Sequence, residues 1–104
     1  MNVFTKKRRY PRAKVSIPVE WGTAPNCGYK GVILILSLSG CLIQAPLYAS
    51  PGQVVFVRLS LPEEGEDAHV VRGLIKYQME GMGLGVEFME LTDEDKRLIR
   101  DIVD

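Results

Sequence analysis

Arg8 and Arg12 stand four residues apart in the run KKRRYPRAK, with Arg9 between them and Lys6, Lys7 and Lys14 on either side. A guanidinium is planar, permanently charged and presents a fork of N–H donors. It therefore grips phosphate oxygens, or the N7/O6 edge of guanine, with two bonds at once. Pro11 biases Tyr10 toward extended backbone, which lowers the entropy lost when such a segment settles on an anion. A second constellation, Ser37-Leu38-Ser39-Gly40, joins two apolar runs. Its hydroxyls can donate and accept at short range, and its glycine permits close approach to the backbone. Taken singly, each has a plainer explanation: a solvated basic tail for the first, an ordinary hairpin turn for the second.

The basic run is a local feature. Six of the first fourteen residues are Lys or Arg and none is acidic, while the remaining ninety carry seven basic and thirteen acidic residues. A formal net charge of zero thus conceals +6 on a short arm and −6 on the body. That segregation suits a localised anion-binding arm better than a uniformly basic surface that coats nucleic acid. A small barrel using the arm to bind RNA or DNA nonspecifically is the competing class. Against it, the body lacks the interleaved aromatic and basic residues of single-strand platforms.

At 104 residues, with 46% hydrophobic and 25% charged, the chain is expected to be one domain with a single modest core. No stretch approaches the roughly 20 apolar residues of a membrane span. No apolar segment follows the basic run, so no secretory signal is expected in the chain as given, and a cytoplasmic location is expected. Cys27 and Cys41 accordingly read as reduced thiols, and His69 shares no ligand spacing with them, so neither a metal nor a cofactor is expected. Enzymatic chemistry is not expected either. No nucleophile–base arrangement or GxxxxGK loop is present, and GMGLG (Gly81 to Gly85) lacks the strand-then-helix setting of a dinucleotide fingerprint. Glu63, Glu64, Glu66 and Asp67 read as a solvated hairpin loop.

The elements that must position the two constellations are short strands. Val15, Ile17, Val19 and Trp21 alternate with polar residues or proline, the period of a strand with one buried face. Pro18 cannot donate to a ladder, so this strand should lie at an edge or be interrupted there. Apolar runs at Val32 to Leu36, Gly40 to Gln44, Val54 to Leu61, Ala68 to Gln78 and Leu84 to Leu91 are separated by turn signals. Ile33 and Ile35 fall on one face by simple alternation, with Leu34 and Leu36 on the other. Trp21 and Tyr77 could cover a base, but as alternating strand residues they read as core or barrel wall. The pattern changes after Thr92, an N-cap followed by three acids in the first turn, with Leu98, Ile99, Ile102 and Val103 at helical spacing. The chain is therefore expected to be all-β with a small α addition: a six-stranded antiparallel β-barrel with a C-terminal helix.

In this order, an RxxxR arm, a SxxG turn some twenty-five residues later and a closing GLGVEF strand before a terminal helix resemble the PilZ domain family. The resemblance runs from Lys6 to about Val103. It implies a flexible basic arm over residues 1–12, a barrel over 13–104, and a bacterial second-messenger receptor that binds cyclic di-GMP without catalysis. Carried over residue by residue, the RxxxR signature falls on Arg8 and Arg12, with Arg9 between. The [D/N]xSxxG signature falls on Ser37 and Gly40, with Ser39 in the turn. Its first position is occupied by Ile35, which cannot accept a hydrogen bond from guanine. The loss of one such bond costs roughly 1–3 kcal/mol, so the resemblance implies weakened binding or a protein-interaction module that has lost the nucleotide. An effector protein would read the change in the arm.

Overall fold

A computed structural model describes residues 12–45, 49–59, 69–79, 81 and 83–103. Six strands, β1 (Ala13–Gly22), β2 (Tyr29–Leu36), β3 (Gly40–Gln44), β4 (Val54–Leu59), β5 (His69–Met79) and β6 (Gly83–Met89), precede one helix, α1 (Asp93–Val103). All pairings are antiparallel, and the strands close a barrel in the order β1-β2-β3-β6-β5-β4. The expected architecture is the observed one. The acidic segment Pro62 to Asp67 lies outside the described residues, as do Ser60 and Leu61, so β4 is described only to Leu59. At the other end of the chain β6 stops at Met89 rather than running to Leu91. Glu90 takes a left-handed backbone (φ 53°) that turns the chain out of the sheet and toward the helix.

Closure is local at β1. The β1–β4 ladder comprises only Glu20, Trp21 and Gly22 against Arg58, Val57 and Phe56. Pro18 lies outside that ladder and faces only β2, opposite Val32. The proline thus occupies the stretch of β1 with one paired neighbour, where a missing N–H is tolerated.

Alternating side chains from every strand fill the barrel. Trp21, Ile33, Leu36, Ile43, Val55, Val57, Leu59, Ile75 and Leu84 are sealed from solvent. Trp21 packs its ring against Tyr29 at 5.2 Å and 56°, which makes it a core residue and not a cover for a ligand. Cys27 and Cys41 are free thiols, both buried.

The faces of β2 do not follow simple alternation. Ile33 pairs with Ile43 and Ile35 with Leu42, so β2 uses two steps where β3 uses one, and the chain bulges at Leu34. A bulge inserts one residue and re-aims those beside it. Ile33 and Leu36, three apart, therefore both point into the core, while Ile35 is left half-buried on the outside. A matching irregularity in β1 between Lys14 and Ile17 keeps the two strands in register.

Helix α1 starts at a reciprocal cap. The Asp95 N–H donates to Thr92 Oγ1 at 3.0 Å, and the Thr92 N–H donates to Asp95 Oδ2 at 3.0 Å. This satisfies two backbone donors at an end where no intrahelical partner exists. Asp95 also meets His69 Nδ1, at the start of β5, at 3.4 Å. Leu98 and Ile99 then enter the barrel core, with Ile102 and Val103 packed at its margin.

The bulge has a measurable consequence. Ile33→Ala should cost about 2–5 kcal/mol in chemical denaturation, as expected for truncating a sealed core side chain. Ile35→Ala should cost clearly less. Equal losses would mean that both side chains face the core.

Candidate functional site

The β1–β2 ladder brings the two sequence constellations together. Ala13 pairs with Leu36, so the next residue out on each strand is Arg12 on one side and Ser37 on the other. Arg12 is exposed and borders an open groove on the outer wall of the barrel. Arg8 and Arg9 lie outside the described residues.

The floor of this groove is a single row of cross-strand neighbours running Ile35, Leu42, Gly85 and Tyr77 over β2, β3, β6 and β5. Three strand steps, each about 4.8 Å along the curved wall, separate Ile35 from Tyr77. Leu42 is only 7% exposed yet takes no part in the barrel core, so its side chain is the apolar base of the groove. Tyr77 forms the far wall. Its ring covers Gly85, where any Cβ would collide with it, and 46% of the residue remains exposed. A bulge at Lys76 in β5, between the pairs Ile75–Val86 and Tyr77–Gly85, turns Tyr77 outward. Trp21 and Tyr77 carry the same signal in the sequence, and the bulge is what separates them.

The second row is polar and comes from the turn. Ser37 Oγ lies 2.8 Å from Ser39 Oγ and accepts the Ser39 N–H at 3.2 Å, while the Ser37 N–H donates to the Gly40 carbonyl at 2.9 Å. Ser37 is buried and its hydroxyl is engaged within the turn, so it shapes the loop. Ser39 is the exposed hydroxyl of the pair, held by its own carbonyl accepting from the Phe88 N–H at 2.9 Å. Gly40 has a packing reason of its own. A Cβ there would strike the Val86 carbonyl of β6, so the glycine is what lets β3 and β6 pair closely. Glu87, opposite Gly40 on β6, completes the rim and was not singled out by sequence reasoning. Its only sequence signal is an acid at an outward position of a strand.

The site holds no reactive thiol. Burial pushes the Cys41 thiol far above its ordinary range, and burial also raises that of Cys27, so both are neutral and inert near neutral pH. Among the described residues no helix is long and apolar enough to cross a membrane.

The sequence profile described as PilZ domain matches residues 6–104. The chain belongs to the PilZ domain family. The family is one of cyclic di-GMP receptors, and the match covers residues 6–12, the turn and the closing strand together. Solved structures share the fold. One is the inhibitor of motility MotI/DgrA from Bacillus subtilis, with a TM-score of 0.70 and 15% identity, over 93% of this chain and 49% of that one. The chain therefore spans about half the length of that protein. Another is the PilZ domain of CeSA from a cellulose-synthesizing bacterium, with a TM-score of 0.64 and 21% identity, over 88% of this chain and 93% of that one. No curated protein matches by sequence.

The PilZ signature glycine should prove structural even without ligand. Gly40→Ala is expected to lower stability by about 1–3 kcal/mol, the usual cost of forcing atoms into a packed site, read as a fall in denaturation midpoint. An unchanged midpoint would leave ligand contact as the sole reason for the glycine.

Proposed function

We propose that this chain is a non-catalytic cyclic di-GMP receptor domain, acting in the cytoplasm of a bacterium, in which the basic arm of residues 1–12 closes over the outer-wall groove. The observation that carries the reading is the Ala13–Leu36 pairing, which roots the arm beside the Ser37–Gly40 turn and at the mouth of the groove. Arg12, with Arg8 and Arg9 from the arm, would take phosphate oxygens and guanine edges. Ser39 would offer its hydroxyl, and Gly40 the open backbone beside it. Ile35 and Leu42 would lie beneath a base, and Tyr77 would flank it, since a half-exposed ring held in place by packing is a stacking surface. Ordering of the arm on the ligand changes the surface presented to an effector protein, and that change is the signal.

A second reading is a PilZ module that works through protein contacts alone. Ile35 favours it, because it removes an acceptor from the ligand side of the turn. Titration calorimetry separates the two. Cyclic di-GMP should bind at about micromolar Kd, in preference to GMP and the linear dinucleotide, and no heat at a few hundred micromolar ligand (a weak ceiling for a regulatory site) would favour the protein-only module.

Arg12 gives the sharper test of mechanism. Arg12→Ala should lose most of the affinity, roughly 1.5–3 kcal/mol, with the melting temperature unchanged, because the residue is exposed and outside the core. Arg12→Lys should fail nearly as badly, since an ammonium has the charge without the fork. Full affinity in the lysine variant would reduce the arm to diffuse electrostatics.

A further inference from the structure

Glu87 is a carboxylate on the rim of a groove whose other charged neighbours, Arg12 and Lys76, are cationic. For a ligand with two phosphates that placement is unfavourable, unless the carboxylate meets a donor on the ligand. Among the described residues Glu87 forms no ion pair, whereas Glu20 meets Arg58 and Glu90 meets Arg72. Its ladder partner Gly40 has no side chain to stand between it and the turn. Across that turn, two strands away, Ile35 offers no acceptor of any kind.

We propose that Glu87 is the base-reading residue of the groove, accepting hydrogen bonds from the N1–H and 2-amino group of a guanine. The proposal rests on the cyclic di-GMP reading given above and assigns its specificity. A carboxylate has two oxygens in one plane, and the Watson–Crick edge of guanine presents two adjacent N–H donors, so the pair is bidentate and charge-assisted. Adenine offers an acceptor at N1 and would be rejected. With the base resting over Ile35 and Leu42, the acceptor reaches its edge from β6, and an apolar residue at position 35 becomes part of the platform. The groove then reads the base from β6 and holds the phosphates from Arg12 and Lys76.

The sign of one substitution distinguishes this role from that of a bystander charge. Glu87→Gln keeps the shape, removes the charge and replaces one acceptor by a donor. If Glu87 reads guanine, the variant should bind cyclic di-GMP about 10- to 100-fold more weakly. If it is only a negative charge near two phosphates, the variant should bind as well or better. Glu87→Ala should in addition erase the preference for cyclic di-GMP over its inosine counterpart, which lacks the 2-amino group. That preference should be about 10-fold in the unsubstituted protein, one hydrogen bond's worth. The side chain is exposed, so both variants should melt with the unsubstituted protein. Unchanged or tighter binding in Glu87→Gln, or a preference that survives Glu87→Ala, overturns the proposal while leaving the receptor reading in place. An unsubstituted protein that binds no cyclic di-GMP at all removes both.

Discussion

The pairing of β1 with β2 constrains everything else in this domain, because it sets Arg12 beside the Ser37–Gly40 turn. The pairing is made by backbone hydrogen bonds, with Ala13 opposite Leu36 and Lys14 opposite Ile35. It holds only because two irregularities agree. An extra residue in β1 between Lys14 and Ile17 offsets the pairing on one side of β2, and the bulge at Leu34 offsets it on the other. A one-residue slip would exchange core and solvent faces along the strand. Ile33 and Leu36, both fully sealed, oppose such a slip through the apolar surface they would expose.

The groove that results is built from two outward-facing rows with opposite character. One row is apolar and preorganised, with Leu42 at its base and Tyr77 anchored on Gly85. The other is polar and comes from a turn whose hydroxyls already satisfy one another. Such a surface has little freedom left to lose when a ligand settles on it.

Two residues of the PilZ signature have structural duties that precede any ligand. Gly40 permits the approach of β3 to β6, and Ser37 closes the turn from inside. The same end of the barrel carries the helix. β6 runs past Gly40 at Glu87, ends at Met89, and within a few residues the capped start of α1 meets His69 of β5. Turn, arm root and helix start thus share one rim, where Leu98 and Ile99 of the helix reach the common core.

The local signals in the sequence were enough for the architecture. Short alternating runs, turn residues between them, and Thr92 ahead of three acids each act over a few residues, and their physics is local: pleat periodicity, glycine and proline backbone limits, and an N-terminal cap. The order of RxxxR, SxxG and GLGVEF was likewise legible, and it identified the PilZ family. What the sequence left open was which side of the wall each residue faces. Ile33 and Ile35 alternate in the sequence but part company at the Leu34 bulge, and Trp21 and Tyr77 look alike until the Lys76 bulge turns one outward. Leu42 sits within the short run Gly40 to Gln44 without a signal of its own yet floors the groove, and Glu87 gains its place on the rim only when β6 is laid beside β3. Bulges have no strong composition of their own, because they are fixed by the fit of both neighbouring strands at once. Only closure of the barrel supplies both neighbours, so the faces, and with them the site, were decided by the tertiary structure.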